Sequence, residues 1–184
     1  MTTHDDAVRR IVSPVPMSEK LKRAVWALVQ STLFRCSLHT ANRWRAFLLR
    51  RFGATVGHHC TIRRTSTVYY PWKLTLGSVS SLGDGATVYN LGAITIGDRV
   101  TVSQEAYLCA GTHDYRTAAM PLVTPPIAIG DDAWICARAF VGPGVTVGEG
   151  TILAACAVAF RDLDPWTIYA GNPAEKQKER PRLR

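Results

Sequence analysis

The chain has 184 residues, 47% of them hydrophobic and 20% charged, which suits one folded domain with an added segment and excludes a disordered or fibrous protein. The net charge of +8 is uneven, since residues 1–51 hold ten Lys/Arg against three Asp/Glu and residues 175–184 hold five against two. The basic ends favour attraction to an anionic membrane surface over nucleic acid, because no nucleic-acid-binding motif accompanies the charge.

The cellular setting is predicted from cysteine usage and from the start of the chain. Five scattered cysteines without a CxxC pair indicate reduced thiols. The opening MTTHDDAVRR is unlike a signal peptide, and no apolar run approaches the roughly 20 residues of a membrane span. We expect a cytoplasmic protein, and the sequence leaves open a peripheral contact between its basic N-terminal helices and the inner face of the cell membrane.

The first predicted elements are a flexible lead over residues 1–17 and a helical cap over residues 18–53. Apolar residues at helical spacing predict one helix over about 19–36 and a second over about 41–51, which ends before Gly53. Such a pair can cover the open end of a solenoid, whose terminal repeat exposes apolar surface. Docking on a membrane or on partner enzymes is a further role that the sequence leaves open.

Residues 54–172 carry the pattern that predicts the fold. Residues 129–158 divide into blocks of six, IGDDAW, ICARAF, VGPGVT, VGEGTI and LAACAV, and a branched aliphatic residue opens every block. The same phase runs from Val56 to Leu108 in three coils of eighteen residues, separated by two extra residues each. A period of six fits neither an α-helix nor an alternating strand and is typical of hexapeptide β-helices.

The six-residue phase stops between Gly111 and Pro126, where GTHDYRTAAMPLVTPP predicts a loop that leaves the coil. Loops on a rigid scaffold often carry function. His113 in this loop is a candidate general base, because imidazole, with an ordinary pKa near about 6.5, can remove a hydroxyl proton at neutral pH. A basic tail over residues 173–184 ends the chain.

The repeats, the GTHDY loop, the re-entry PPIAIGDDAWI and the closing YAGNPAE resemble the hexapeptide-repeat acyltransferases. The nearest branch is the sugar O-acetyltransferases of the maltose and galactoside acetyltransferase group. Closer still are the acetyltransferases of colanic-acid and other exopolysaccharide pathways, which share the two helices and SQEAYLCAGTHDY. The resemblance covers residues 18–176. It implies an all-β, left-handed parallel β-helix that works as a homotrimer with active sites between subunits.

The resemblance also implies the reaction. Acetyl-CoA would serve as co-substrate without a metal, and the acceptor would be a hydroxyl of a saccharide or polysaccharide precursor. A histidine placed like His113 would deprotonate that hydroxyl, which attacks the thioester directly. Asp114 would either orient His113 or shape its turn. Asn90 and Gln104 would reach the acceptor sugar, although Asn90 can equally be a turn residue.

Further positions are implied for the coenzyme. Trp134 would line the pantetheine groove or pack between subunits, and Ala137 and Ala155 would leave room for the pantetheine arm. Arg161 would lie near the coenzyme phosphates. Lys176 and Lys178 would assist there or belong to a solvated tail.

Three other functions are weighed against this one. N-acyl transfer to an amino sugar and a catalytically inactive β-helix scaffold stay open as alternatives. A zinc carbonic anhydrase of the same fold needs three histidines, whereas His113 is the sole histidine after the third coil.

Overall fold

The computed structural model describes residues 16–182 and begins with two helices. Helix α1 spans Met17–Val29 and continues as a π-helical turn over Gln30–Phe34, and helix α2 spans Asn42–Arg51. Both lie where the apolar spacing predicts helices. The predicted flexible lead falls outside the described residues, except for its last two positions.

The rest of the chain forms short strands and one 3-10 turn at Pro71–Lys73. The strands of the first three coils are β1 (Thr55–Val56), β2 (Thr61–Ile62), β3 (Thr67–Val68), β4 (Leu74–Leu76), β5 (Ser81–Leu82), β6 (Thr87–Tyr89), β7 (Ile94–Ile96), β8 (Thr101–Val102) and β9 (Tyr107–Cys109). The loop and the later coils contain β10 (Thr112–His113), β11 (Leu122–Val123), β12 (Ile127–Ile129), β13 (Trp134–Ile135), β14 (Phe140–Val141), β15 (Thr146–Val147), β16 (Ile152–Leu153), β17 (Val158–Ala159), β18 (Thr167–Ala170) and β19 (Glu175–Glu179).

The strands stack into three sheets that form the sides of a parallel β-helix of about six turns. Sheet A has the order β1-β4-β7-β12-β15, and sheet C has the order β17-β14-β9-β6-β3. Sheet B has the order β19-β18-β16-β13-β8-β5-β2 and is parallel except for β19, which is antiparallel to β18. The predicted β-helix with a helical cap is therefore confirmed.

The core consists of the residues that set the six-residue period. All fifteen in-phase positions are buried, and each pairs with its equivalent one coil away. Sheet A contributes one such column: Val56, Leu76, Ile96, Ile129 and Val147. Sheets B and C contribute two more: Ile62, Leu82, Val102, Ile135 and Leu153, and Val68, Val88, Leu108, Val141 and Ala159. Small or apolar residues two positions earlier, such as Ala133, Ala139 and Val145, are buried with them and complete the interior.

Glycine follows several of these core residues because the coils approach closely at the corner between sheets A and B. A Cβ atom added at Gly130 would lie 2.6 Å from the backbone nitrogen of Glu149 in the next coil. One added at Gly148 would lie 2.4 Å from the nitrogen of Pro165. Side chains at these positions would push the stacked coils apart.

Side chains of the helical cap form hydrogen bonds with backbone groups at the open strand edges of the first coil. On sheet C, Gln30 Oε1 accepts from the Val68 N–H at 2.8 Å and Trp26 Nε1 donates to the Val68 carbonyl at 2.6 Å. An unpaired strand edge invites pairing with another chain. The helices therefore cover the first coil with apolar side chains and also form hydrogen bonds to its strand edge.

The other two edges of the first coil are bonded in the same way. On sheet B, Asn42 Oδ1 accepts from the Ile62 N–H and Arg45 Nε donates to the Ile62 carbonyl. On sheet A, Arg50 Nε and Nη2 donate to the Val56 carbonyl at 3.0 and 2.8 Å. All three sides of the first coil are therefore closed by the cap.

Arg45 is the most heavily bonded of these side chains and is completely buried. Its guanidinium also donates to Ser37 Oγ, to the carbonyls of Leu38 and His39, and to Asn42 Oδ1. Burial, followed by the nearby charge of Arg63, lowers the pKa of Arg45 from its usual value. Arg45 joins the loop between the helices to the first coil.

The basic tail that the sequence predicts contains a β-strand. Residues Glu175–Glu179 form β19, which pairs with β18 through Thr167↔Glu179 and Ile168↔Lys178. Arg180 then donates to the carbonyls of Asp132 and Gly150. The charged segment is thus a strand along the last coil, because backbone pairing offsets its polar composition.

Candidate active site

His113 lies in the predicted loop, which the structure builds as a small antiparallel hairpin of β10 and β11. The hairpin leaves the β-helix after β9 of sheet C and returns at β12 of sheet A. His113 is exposed, and its Nδ1 lies 2.6 Å from the carbonyl oxygen of Met120. A carbonyl oxygen only accepts, so Nδ1 carries the proton and the lone pair of the neutral ring is on Nε2. That nitrogen can accept a proton from a substrate.

Asp114 does not contact the His113 ring in the way that an orienting carboxylate would. Its Oδ1 accepts from the backbone and Nε of Arg116, at 3.1 and 2.8 Å, and its Oδ2 accepts from Nη2 at 3.2 Å. The Arg116 guanidinium holds the pKa of Asp114 below its usual value. These contacts favour the alternative role of Asp114, which is to shape the turn, and the Met120 carbonyl takes the place of an orienting carboxylate beside the imidazole.

Gln104, Ala137 and Ala155 form a column at the corner between sheets B and C. The carbonyl of Gln104 accepts from the Arg138 N–H at 3.0 Å, and the carbonyl of Ala137 accepts from the Cys156 N–H at 2.9 Å. Gln104 and Ala155 are exposed and Ala137 is half-buried. The small side chains of Ala137 and Ala155 leave space along this corner for an extended ligand. We call the surface formed by these two residues the shelf.

Trp134 lies beside this column on the outer face of sheet B. It is 45% exposed and pairs with Thr101 on one side and Ile152 on the other. Its Nε1 donates to Ser103 Oγ at 2.8 Å. Sequence reasoning missed Ser103, although its place one coil before Cys136 in the six-residue phase puts it next to Trp134.

Asn90 is not available to a substrate in this structure. It is completely buried, its Oδ1 accepts from the Tyr69 and Tyr70 N–H groups, and its Nδ2 donates to the Tyr70 carbonyl. These bonds join two coils at the corner between sheets C and A. The burial of Asn90 therefore contradicts the predicted contact with an acceptor sugar, and its place at this corner agrees with the alternative of a turn residue.

One chain does not bring the candidate base and the candidate coenzyme shelf together. The hairpin that carries His113 projects from the corner between sheets C and A. Ala137 and Ala155 lie at the corner between sheets B and C. The whole width of sheet C separates these two corners. The two sets of residues therefore do not form one compact site within a single chain.

The predicted phosphate-binding residues also lie on two sides of the molecule. Arg161 is exposed and follows β17 of sheet C. Lys176 and Lys178 are exposed on β19 of sheet B. Sheet B places β16, β18 and β19 successively beyond β13, so Lys178 lies three strands, or about 14 Å, from Trp134. Lys178 and Trp134 can therefore contact opposite ends of one extended ligand.

The outer face of sheet C carries a continuous run of aromatic rings. Their centroids are 4.7 to 6.1 Å apart in the order Tyr69, Tyr89, Tyr107, Phe140 and Phe160. Burial is the main cause that raises the pKa of Tyr107 to about 12 and raises that of Tyr89 as well. The Tyr89 and Tyr107 rings are therefore uncharged at neutral pH, and the run lies between the two corners that carry the candidate site.

Three of the five cysteines are poor candidates for the nucleophile of a covalent acyl-enzyme. All five are free, and burial raises the pKa of the Cys60, Cys109 and Cys136 thiols. A protonated thiol is a poor nucleophile. Residues 16–182 also hold no group of three or more His, Cys, Asp or Glu side chains that could bind a metal ion.

Comparison with known proteins identifies the family. A family model of six bacterial transferase hexapeptide repeats matches residues 126–159. The "Putative colanic acid biosynthesis acetyltransferase WcaF" of Escherichia coli K12 is 43% identical over 160 residues, which cover 87% of this chain and 88% of that protein. The chain belongs to the hexapeptide-repeat acetyltransferases. The resemblance expected from the sequence motifs is confirmed.

Two solved structures of hexapeptide-repeat acetyltransferases share the fold. A maltose O-acetyltransferase from Clostridium difficile 630 superposes with a TM-score of 0.82 at 21% identity and covers 91% of this chain and 90% of its own. An acetyltransferase from Vibrio cholerae O1 biovar eltor, solved with acetyl coenzyme A, has a TM-score of 0.81 at 24% identity and covers 91% and 92%. At these identities the two structures establish the architecture of this acetyltransferase and not its substrate.

Proposed function

We propose that this acetyltransferase moves an acetyl group from acetyl-CoA to a hydroxyl of a saccharide or polysaccharide precursor. The observation that carries the proposal is the 2.6 Å contact between His113 Nδ1 and the Met120 carbonyl. It leaves the His113 Nε2 lone pair free on an exposed ring, as a general base requires. The acceptor class rests on the colanic acid relative and on a galactoside O-acetyltransferase of Escherichia coli K12, which is 25% identical over 138 residues and covers 73% of this chain and 68% of that protein.

Acetyl-CoA supplies an activated acyl group as a thioester. His113 Nε2 takes the proton of the acceptor hydroxyl while the hydroxyl oxygen forms a bond to the thioester carbonyl carbon. Backbone N–H groups are suited to stabilise the oxygen on which negative charge develops. The C–S bond then breaks, and the proton held by His113 returns to the departing thiolate. No metal takes part in this route.

The donor is proposed to lie along sheet B and its corner with sheet C. Ala137 and Ala155 provide the shelf, and Trp134, held by Ser103, forms one wall. Lys178 is about 14 Å away along the sheet, and Lys176 is on the same strand. We propose that these lysines of one subunit, together with Arg161 of a neighbouring subunit, contact the coenzyme phosphates, since Lys and Arg are the usual phosphate partners.

A homotrimer is proposed because the two halves of the site lie on different corners of one chain. The hairpin with His113 would then face the shelf of a neighbouring subunit, where Gln104 can contact the acceptor. The aromatic face of sheet C offers an uncharged surface for that contact. The mass in light scattering should be near three times 20.2 kDa. A clean monomer that retains full activity would contradict the shared site.

The proposal is tested by release of free thiol from acetyl-CoA in the presence of saccharides. Each saccharide is paired with its amino-sugar analogue, because N-acyl transfer predicts turnover with the amine only. Wild type is compared with His113→Ala and, as a matched control, with His58→Ala, another exposed histidine. Thiol release that is absent for every acceptor, and thermal stability that acetyl-CoA does not change, would favour an inactive scaffold.

Location in the cytoplasm stays a prediction. Within residues 16–182, neither helix has the length and apolar character needed to cross a membrane. Peripheral contact with a membrane through the helical cap is likewise a proposal. The side chains that the cap exposes specify which of its faces would make that contact.

A further inference from the structure

The helical cap carries most of the large apolar side chains that the described part of the chain exposes. Eight of the fourteen lie between residues 17 and 51. They are Met17, Leu21, Val25, Leu28, Leu33, Leu38, Trp44 and Phe47. Single exposed apolar residues are ordinary, whereas a concentration of them marks an interaction surface.

Helix α1 has two apolar faces, and the β-helix uses one of them. Trp26 is 1% exposed and bonds the first coil. Met17, Leu21 and Leu28 are 78%, 65% and 65% exposed. At about 100° per residue they fall within an arc of about 40°, on the side of the helix away from Trp26. This stripe faces solvent and makes no contribution to the core.

Helix α2 extends the exposed surface with two aromatic rings. Trp44 and Phe47 stack with centroids 5.6 Å apart and are 41% and 52% exposed. Trp44 Nε1 donates to the carbonyl of Leu33 at 3.0 Å, which fixes the rings beside the end of the first helical segment. A Trp with an apolar ring and a bonded N–H is suited to the boundary between lipid and water.

The same end of the molecule has a strong positive charge. No Asp or Glu occurs from residue 20 to residue 83, a stretch with eleven Lys and Arg. Glu19, just before it, faces Lys73 at 3.7 Å. Lys20, Arg43 and Arg51 are exposed on the helices that carry the apolar stripe and the rings. Apolar side chains fringed by basic ones are typical of a helix that lies on an anionic membrane.

We propose that the outer face of the helical cap docks on an anionic lipid surface. Met17, Leu21, Leu28, Trp44 and Phe47 enter the boundary between headgroups and acyl chains, while Lys20, Arg43 and Arg51 contact lipid phosphates. Charge complementarity favours this occupant over a second copy of the chain, whose cap has the same sign. The hairpin with His113 leaves the solenoid two coils beyond the capped edge, about 10 Å along its axis.

Vesicle flotation of the full chain tests the proposal. Phosphatidylcholine vesicles are compared with vesicles that also contain phosphatidylglycerol, at low and at high salt. The chain should float with the anionic vesicles, bind neutral ones at least about tenfold more weakly, and lose part of its binding at high salt. No binding to anionic vesicles would overturn the proposal.

Two double variants separate the apolar from the electrostatic part. Leu21→Ser with Leu28→Ser should weaken binding to anionic vesicles by about tenfold or more, since each leucine loses its burial in lipid. Arg43→Gln with Arg51→Gln should weaken it by a similar factor at low salt. Val79→Ser is the matched control, because Val79 is 59% exposed outside the cap, and it should bind like wild type.

The remaining outcomes also decide the question. Binding that is unchanged in the leucine variant would overturn docking by this face. A leucine variant whose mass in light scattering falls below that of wild type would assign the stripe to another copy of the chain. Binding of the full chain that is lost on deletion of residues 1–15 would assign it to that segment. Flotation needs neither donor nor acceptor, so its result is independent of the proposed acetyl transfer.

Discussion

The imidazole of His113 is oriented by the backbone of Met120, with Nδ1 2.6 Å from the carbonyl oxygen. The two residues face each other across the hairpin, in which Pro121 accepts from the Asp114 N–H at 3.0 Å. A backbone carbonyl fixes the tautomer as a carboxylate would, but without adding a negative charge. The reactivity of the base therefore depends on the shape of the loop.

Replacement of His113 by alanine should lower turnover by about a hundredfold or more, because no other group in the hairpin is placed to take the proton. Affinity for acetyl-CoA should stay near that of wild type. Thiol-release kinetics and titration of the coenzyme measure the two effects separately. His58→Ala should behave as wild type in both, and equal turnover for His113→Ala would remove His113 from the mechanism.

Replacement of Asp114 by asparagine should have a much smaller effect on turnover, within about tenfold, because its carboxylate pairs with Arg116 and not with His113. The same kinetic assay checks this. Arg116→Gln is the companion variant, since it breaks the same ion pair and should give a similar change. A loss for Asp114→Asn as large as that for His113→Ala would restore Asp114 as the orienting residue.

A bulky side chain on the proposed shelf should block the donor. Ala137→Trp is expected to weaken acetyl-CoA binding by about tenfold or more, as overpacking at a close contact costs 1–3 kcal/mol, roughly. Calorimetric titration measures it. Ala27→Trp adds the same ring at an exposed alanine of the cap and is the control. Equal affinities for the two variants would show that the donor lies elsewhere.

Arg45→Met should destabilise the chain by about 3 kcal/mol, because it leaves the carbonyls of Ile62, Leu38 and His39 without their buried donor. Denaturant unfolding measures the loss. Arg43 is exposed on the same helix, so Arg43→Met should change stability by less than about 0.5 kcal/mol. A similar small change for Arg45→Met would mean that the strand edge does not need its cap.

The ion pair between Asp132 and Arg99 predicts a dependence of stability on pH. Arg99 Nε and Nη2 donate to the Asp132 carboxylate at 2.7 and 2.8 Å, which lowers the pKa of Asp132. A lowered folded-state pKa gives stability that is present above the unfolded value of about 3.9 and is lost as the pH falls through the folded value.

The melting temperature of wild type should therefore exceed that of Asp132→Asn by a constant amount from about pH 7 to pH 5. The difference should shrink below about pH 4, as the Asp132 carboxylate takes up a proton. Asp84→Asn, at a more exposed carboxylate 3.7 Å from Arg63, is the comparison and should show a smaller difference. A Tm difference that does not change with pH would show that the charge of Asp132 does not stabilise its contact with Arg99.

Much of the fold follows from local sequence. In a β-helix each coil repeats the same three sides, so a residue such as Ile135 must recur at a fixed interval to face the interior, and the period can be counted along the chain. The excursion at residues 111–126 is found for the same reason, as a break in that count. His113 stands out because it is a titratable residue within the break.

The roles of polar side chains were decided only by the tertiary structure. Asn90 forms hydrogen bonds with the backbone about twenty positions earlier. The Asp114 carboxylate pairs with Arg116 and not with His113. Neither partner follows from spacing along the sequence. One amide or carboxylate has several possible hydrogen-bond partners, and the stacking of the coils decides among them.

The sequence by itself determined the six-residue period, the positions of the two helices and the loop with the candidate base, since these depend on residues near one another in the chain. The tertiary structure decided which face of each helix meets the first coil, and therefore that Trp26 and Arg45 close strand edges while Leu21 and Phe47 face outward. It also placed His113 and Ala137 at different corners. Hydrogen bonds to an open edge and distances between corners arise only when distant segments pack together.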